Sequence, residues 1–323
     1  MRNNGNDTPD WSGFCLVGFG NHASSRILPA IKEAKVGLKG IVSSKGDLSE
    51  LVNTNWFDTV DEALINLDKN CCFYLCSPPR VHYEQAIKIL HAGFDVLMEK
   101  PAFASLEEAR RALTISRRKN AVLAECYMYR YSKIFIHFLE NWNGGIDVSC
   151  LEISFSIPGY AQGSFRDNED NIFLLVYDVG CYLVDLARAL EIDISLAELN
   201  FRPNRGAGIV QFESRGVVKV LGSFGVGEEY LNEVTLHFKD GSKLRYAPFF
   251  YGRTGNRVFT RLDPSGVLKA KTFVEDDNFK NMLDLPKSFW ISNRQRHQSS
   301  MLSSAETLEA LFSAVKSAWL NTN

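Results

Sequence analysis

Phe14-Cys15-Leu16-Val17-Gly18-Phe19-Gly20-Asn21-His22-Ala23 is the stretch on which the fold turns. Four apolar residues without polar alternation read as a strand buried on both faces, as in a parallel sheet. Two glycines break it, and the segment beyond carries Ile27, Leu28, Ala30 and Ile31 at helical spacing. Strand, glycine turn and helix in that order give the G-x-G-x-x-A form of a dinucleotide-binding fingerprint. In that reading Gly18 permits the tight turn and Gly20 lets backbone N–H groups approach a pyrophosphate. Ala23 is small enough for helix and strand to pack closely. The helix start adds its dipole and free N–H groups to hold the anion. Phe19, Asn21 and His22 lie in the same turn and are expected beside the cofactor.

Outward from this turn, strand-like and helix-like runs alternate. Leu38 to Val42 is apolar and ends in Ser43-Ser44-Lys45. Many dinucleotide folds place an acid there for the ribose hydroxyls of NAD. Two hydroxyls and a cation suit a 2′-phosphate better, so NADP(H) is preferred; Asp47 could still serve as a ribose acid for NAD(H). Asp61 to Leu67 reads as a helix and Cys72 to Leu75 as a strand, followed by Cys76-Ser77-Pro78-Pro79-Arg80-Val81-His82. Two prolines make an extended turn without N–H donors, with a helix expected from about Tyr83 to Ala92. Gly93 stops it, and Phe94 to Met98 delivers Glu99-Lys100-Pro101. Proline keeps Lys100 extended at a strand's carboxyl end, where open α/β sheets bind ligands. Ser105 and Glu108 form a capping box for a helix to Arg118, and Ala121 to Glu125 is one more strand. The pattern is a doubly wound parallel sheet.

Composition narrows the class. The 323 residues suit two domains, and 45% hydrophobic with 23% charged residues read as an ordinary soluble globular protein. A net charge of -2 without a basic run argues against nucleic acid as a partner. Seven cysteines with no C-x-x-C pair and no histidine cluster argue for buried reduced thiols, no metal site and a cytoplasmic setting. Met1 to Ser12 is polar and reads as a loose tail, and no run approaches a membrane span.

The order and spacing of Gly18 to Ala23, of Cys76-Ser77-Pro78-Pro79 with His82, and of Glu99-Lys100-Pro101 resemble the Gfo/Idh/MocA oxidoreductases. Tyr127-Met128-Tyr129-Arg130-Tyr131 looks like the segment entering that family's second domain. The resemblance implies an N-terminal Rossmann domain and a C-terminal α+β domain with a large open, mostly antiparallel sheet. It also implies hydride exchange between a nicotinamide and a sugar, cyclitol or similar carbonyl/alcohol pair. All of these motif residues, with Arg130, would then contact the cofactor. The sheet's exposed face would make a homo-oligomer, a dimer or tetramer.

In the second half, strands are expected at Val148 to Ile157, Gly208 to Phe212, Val217 to Phe224, Asn232 to Phe238 and Lys243 to Tyr246, with Asp240-Gly241 as a hairpin turn. Tyr177-Asp178-Val179-Gly180-Cys181-Tyr182-Leu183-Val184-Asp185 leads into a helix on which Asp178 and Tyr182, four apart, share a face. The resemblance matches them to a catalytic aspartate and histidine, with tyrosine replacing histidine in a branch of glucose–fructose oxidoreductase-like and keto-sugar reductase-like enzymes. Tyr182 would be the acid/base, assisted by Lys100, because a nearby ammonium favours the phenolate. Asp178 would orient Lys100 or a substrate hydroxyl. One departure is the bulky Asn171 to Tyr177 stretch, where relatives are glycine-rich, and it is expected to reshape the pocket.

The expected organisation is a tail (1–12), a dinucleotide-binding domain (13–125), a substrate and oligomerisation domain (126–300) and a final helix (301–323) packing back on the first domain. Trp290, Arg294 and His297 read as core or surface residues. The substrate expected is a sugar or nucleotide-linked keto-sugar. A dehydrogenase of a free aldose or cyclic diol and a catalytically silent dinucleotide-binding regulator are the rival readings.

Overall fold

The computed structural model describes residues 10–44, 54–158, 171–192, 198–202, 208–215, 218–226, 230–251 and 255–322. The apolar runs of the first half become β1 (Gly13–Val17), β2 (Leu38–Val42), β3 (Asn55–Phe57), β4 (Cys71–Leu75), β5 (Asp95–Glu99) and β6 (Leu123–Cys126). They form one parallel sheet in the order β3-β2-β1-β4-β5-β6. Every residue of β1, β4, β5 and β6 is buried, which is why these strands show no polar alternation. Strand order reverses between β1 and β4, and the crevice at their carboxyl ends is where such sheets take ligands.

Between the strands run α1 (Leu28–Glu33), α2 (Val60–Asn66), α3 (Pro79–His91) and α4 (Leu106–Lys119). A π-helical turn, Ala23–Ile27, leads into α1. The capping box at α4 forms: Ser105 accepts from the Glu108 amide, Glu108 accepts from the Ala104 amide at 3.0 Å, and left-handed Asn120 ends the helix. Helix α3 starts four residues earlier than the sequence pattern suggests. Pro78 caps it and Pro79 occupies its first turn, a position where proline's missing N–H costs nothing.

The second half contains α5 (Lys133–Trp142), β7 (Val148–Ile157), the short α6 (Asn171–Phe173) continued by a π-helical segment (Leu174–Gly180), and α7 (Cys181–Ala189). Seven more strands follow: β8 (Glu198–Arg202), β9 (Gly208–Arg215), β10 (Lys219–Val226), β11 (Leu231–Phe238), β12 (Lys243–Ala247), β13 (Gly255–Leu262) and β14 (Leu268–Asp276). Together with β7 they make an eight-stranded sheet, β14-β13-β12-β11-β7-β10-β9-β8, antiparallel except where β10 meets β7. The fold is therefore the expected Rossmann sheet plus a large, mostly antiparallel one. Asp240-Gly241 turns β11 into β12, with Gly241 at φ 86°. The strands β8, β13 and β14 escape the sequence reading because their runs are too polar; β14 alternates Lys, Thr and Glu with apolar residues.

The chain ends in α8 (Asn278–Leu283), α9 (Lys287–Ser292) and α10 (Arg294–Thr322). It divides into two compact units, Met1–Cys126 with Phe279–Leu302 and Tyr127–Asn278 with Ser303–Asn323. This differs from the expectation that 301–323 returns to the first domain. The returning part is Phe279–Leu302: Lys287 pairs with buried Asp95 at 2.9 Å, and Arg294 donates to Asn120 at 2.6 Å. Trp290 is buried there, stacked on His297 at 5.2 Å. From Ser303 onward the helix belongs to the second unit, where Phe312 lies 5.7 Å from Tyr177.

All seven cysteines are free thiols. Burial pushes the Cys71 thiol up to about 12 and raises those of Cys15, Cys72 and Cys126 as well, so these are inert packing groups. None of the described helices is long and apolar enough to cross a membrane.

Candidate active site

In the first unit the fingerprint turn and the Glu99-Lys100-Pro101 turn are joined through side chains. Gly18 has φ 86°, and a Cβ on it would lie 2.9 Å from the Ser77 amide nitrogen. Only glycine allows the β1 turn to approach the β4 turn this closely. Gly18 donates to Val42 O at 2.9 Å and Cys76 to Val17 O at 2.8 Å, which fixes both turns to the sheet. At Gly20 a Cβ would meet nothing within 4 Å. That bare backbone beside a helix start fits the pyrophosphate of a dinucleotide. Ala23 is fully buried, Phe19 packs edge-on against Trp56 at 5.5 Å, and the Asn21 carbonyl accepts from Ser25 at 2.6 Å.

Glu99 is the hub of this end of the sheet. Its Oε1 accepts from the Tyr74 hydroxyl at 2.8 Å and lies 3.0 Å from His22 Nε2. Burial would raise the Glu99 pKa, but His22, the Tyr74 hydroxyl and the Lys100 ammonium outweigh it and hold the carboxyl below its ordinary value. Lys100 follows directly, half-buried, with Pro101 after it across a cis peptide. His82, fully buried, stitches the two turns together: Nδ1 is 3.0 Å from Pro101 O and Nε2 is 2.8 Å from Ser77 O. Burial lowers its pKa; the two carbonyls, which would favour both N–H groups, only partly offset that. Ser77 also donates to Gln85 at 2.5 Å. Pro78 and Pro79 begin α3. Ser43 and Ser44 follow β2, and the Ser43 amide donates to Phe57 O at 3.0 Å. Lys45 and Asp47 fall outside the described residues.

In the second unit Tyr182 stands on the first turn of α7 and is 6% exposed. Phe155, Phe250, Tyr127 and Tyr129 surround its ring at 5.1, 5.2, 5.9 and 6.2 Å. Its hydroxyl lies 3.7 Å from Met128 Sδ. Phe250 is held in place because Asn232 Oδ1 accepts from the Phe249 and Phe250 amides at 3.0 and 2.7 Å. Gly180 lets the helix approach β10, since a Cβ there would meet the Phe224 ring at 2.8 Å. Asp178 is half-buried and lies in the π-helical segment, so its four-residue spacing to Tyr182 runs through a widened turn rather than a regular α-turn. Phe173 and Tyr177 stack at 4.6 Å within that stretch and both pack on Phe312. Their bulk thus fills the core against α10. Such π turns recur at functional sites.

Arg130, expected at the cofactor, commits much of its guanidinium to Asp185. Nε donates to Oδ2 at 2.6 Å, and Nη2 to Oδ1 and the backbone oxygen at 2.8 and 2.9 Å. Tyr129 and Arg188 each donate to the same carboxylate at 2.6 Å, and Asp185 is fully buried. Burial opposes the charge on Arg130, but Asp185 overrides it and raises the pKa. Burial and Asp185 both raise that of Tyr129.

Comparison with known proteins places the chain. Residues 13–127 match the model of an oxidoreductase family with an NAD-binding Rossmann fold, GFO_IDH_MocA. Residues 13–127 therefore carry that family's NAD-binding domain, and the chain is an NAD(P)-dependent oxidoreductase. A dTDP-3,4-didehydro-2,6-dideoxy-alpha-D-glucose 3-reductase of Actinomadura kijaniata is 25% identical over 303 residues, 88% of this chain and 85% of the relative. D-glucoside 3-dehydrogenase of Escherichia coli is 26% identical over 158 residues, 47% of this chain and 42% of its own length. The crystal structure of KijD10, a 3-ketoreductase from Actinomadura kijaniata in complex with NADP and TDP-benzene, superposes with a TM-score of 0.74 at 17% identity, covering 93% of this chain and 97% of that one. At that identity the likeness establishes the fold alone.

Three groups around these sites stayed hidden in the sequence. Tyr74 lies in an apolar run and reads as core. Asp185 ends the quoted Tyr177–Asp185 stretch without an assigned role. Asn232 sits in a strand whose partner loop is 17 residues on. A tyrosine in an otherwise non-hydroxylic buried strand, Cys71–Leu75, was the one available hint, since a buried phenol needs a partner.

Proposed function

We propose that this protein is an NADP(H)-dependent oxidoreductase of the tyrosine-type branch, acting on the carbonyl/alcohol pair of a sugar or nucleotide-linked keto-sugar. The observation that carries the reading is the near full-length similarity to a dTDP-sugar 3-reductase in a chain that has Lys100, Asp178 and Tyr182 at the matching motifs. The bound nicotinamide dinucleotide would supply or accept the hydride. Gly18 to Ala23 would hold its pyrophosphate against the start of α1. The Ser43-Ser44-Lys45 stretch supports NADP(H), because hydroxyls and a cation suit a 2′-phosphate and a carboxylate does not. Cys76, Ser77, Pro78 and Pro79, with His82 behind them, would form the opposite wall, and Glu99 would fix the end of β5.

Reduction of a ketone builds negative charge on its oxygen, which must take up a proton. Tyr182 donates that proton, and the Lys100 ammonium stabilises the phenolate left behind. In the oxidative direction the same groups remove the alcohol proton. Asp178 orients Lys100 or a neighbouring substrate hydroxyl. The aromatic ring of side chains around Tyr182 keeps water from its hydroxyl.

The test is titration of the protein with NADPH and NADH, followed by a panel of nucleotide-linked keto-sugars, free aldoses and glycosides, and cyclic diols, scored by nicotinamide absorbance. Turnover of nucleotide-linked sugars with NADPH is expected. Turnover confined to free aldoses, glycosides or diols would favour the dehydrogenase reading. Tight cofactor binding with no turnover on any substrate would identify a silent regulator.

A further inference from the structure

We infer that Tyr230 is the stacking platform for the nucleobase of the substrate, a subsite that rests on the nucleotide-linked sugar proposed above. Tyr230 directly precedes β11, and 49% of it is exposed. Alternate residues of a strand share a face, and Asn232, Val234 and Leu236 are the buried residues of β11. Asn232 pairs with Phe155 across the sheet, and Phe155 packs edge-on against Tyr182 at 5.1 Å. The Tyr230 ring meets Phe155 edge-on at 6.5 Å, which puts it on the same side. One aromatic ring thus bridges the two tyrosines.

The exposed ring is held in place. Asn232 Nδ2 donates to the Tyr230 hydroxyl oxygen at 2.8 Å. Asn232 Oδ1 accepts from the Phe249 and Phe250 amides at 3.0 and 2.7 Å, which settles the orientation of the side-chain amide and leaves Nδ2 only a donor's role. The side chain that fixes Phe250 against Tyr182 therefore fixes Tyr230 as well. A ring pinned at its oxygen and packed along its edge loses little freedom when a ligand stacks on it.

The position suits a base. In a nucleotide-linked sugar a ribose and two phosphates separate the base from the carbon that exchanges hydride. A platform for the base must therefore lie on the face that carries Tyr182, but farther from the reaction and nearer the surface. Tyr230 is one ring away from Tyr182 and half-exposed where Tyr182 is buried. Stacking needs no match of donors and acceptors, since every base offers a π-face. A free aldose reacting at Tyr182 would leave Tyr230 unused.

The test is calorimetric titration of the full chain, saturated with NADPH so that the dinucleotide turn is filled. The titrants are thymidine, uridine, adenosine and guanosine diphosphates, and inorganic pyrophosphate. At least one nucleoside diphosphate should bind more tightly than pyrophosphate. Tyr230→Ala should weaken that binding about tenfold or more, with NADPH affinity and circular dichroism unchanged. Tyr230→Phe and Tyr230→Trp keep a flat ring and should stay within about threefold of the wild type. A nucleoside diphosphate that binds the wild type and Tyr230→Ala alike, or a Tyr230→Phe variant as weak as Tyr230→Ala, would overturn the platform and leave the nucleotide-linked reading in place. A wild type that binds none of the four more tightly than pyrophosphate would overturn both.

Discussion

At the carboxyl end of β5 the functional groups are polar and bonded to one another: Tyr74 and His22 converge on Glu99, with Lys100 next in the chain. At the start of α7 the group of interest, Tyr182, is ringed by four aromatic side chains with its hydroxyl on a methionine sulfur. A π turn precedes the helix in the second region, and another opens the helix of the fingerprint in the first. The first region holds a charge in place by hydrogen bonds. The second holds a weak acid in place by shape, and moves the charge one turn away to Asp185, where three side chains hold it. The difference teaches that a region holding a fixed anion and a region holding a neutral phenol are built from different side chains.

The sharpest way to break this comparison is to remove the donor or its ammonium. Tyr182→Phe and Lys100→Met are each expected to lower kcat by about 10²–10⁴-fold, while NADPH binding by fluorescence titration stays intact. Near-wild-type turnover in both would sink the assignment. Next in size is Asp185→Asn, which leaves the half-buried Arg130 and Arg188 around a fully buried neutral partner. It should cost about 3–5 kcal/mol in urea unfolding; a loss under 1 kcal/mol would show that the carboxylate does not anchor α7. Smaller again is Gly18→Val. A side chain at φ 86° against Ser77 should cost about 1–3 kcal/mol and weaken dinucleotide binding, measured by calorimetry, more than it weakens the fold.

The smallest expected effect concerns Glu99 and acid. Its folded pKa is depressed, so its contribution is complete above the ordinary carboxylate pKa of about 4.3 and is lost as pH falls through the lower folded value. Glu99→Gln should therefore flatten the fall of Tm on acidification below about pH 4. An acid limb as steep as the wild type's would mean that His22 and Tyr74 do not stabilise the ionised form.

The two regions also differ in how far they could be read in advance. Gly18, Pro78 and Pro79 announce themselves because each answers a local backbone demand, and a local demand leaves a local mark; Gly20 and Lys100 are read from their places in turns at strand ends. Tyr74 leaves none: its phenol is needed only because β5 lies beside β4 and brings Glu99 to it. Arg130 shows the converse. Its motif position suggested the cofactor, and the structure adds that its guanidinium grips a carboxylate 55 residues away. The bulk of Phe173 and Tyr177, expected to reshape a pocket, packs on the ring of Phe312, a contact no local pattern announces.

What the sequence determined by itself was the alternation of buried strands and helices, the dinucleotide turn, and the candidates Lys100, Asp178 and Tyr182. The first two, and Lys100 at its strand end, follow from hydrophobic periodicity and from glycine and proline stereochemistry, both of which act within a few residues; Asp178 and Tyr182 come from the family resemblance. Only the tertiary structure decided which side chains hold those candidates: His22 and Tyr74 on Glu99, the aromatic ring around Tyr182, the three donors on Asp185. It also decided that the return to the first unit is made by Phe279–Leu302 and not by the last 21 residues, Ser303–Asn323. Partners brought together by sheet order and helix packing leave no periodic trace in the chain, because the distance between them is bridged by the fold and not by the backbone.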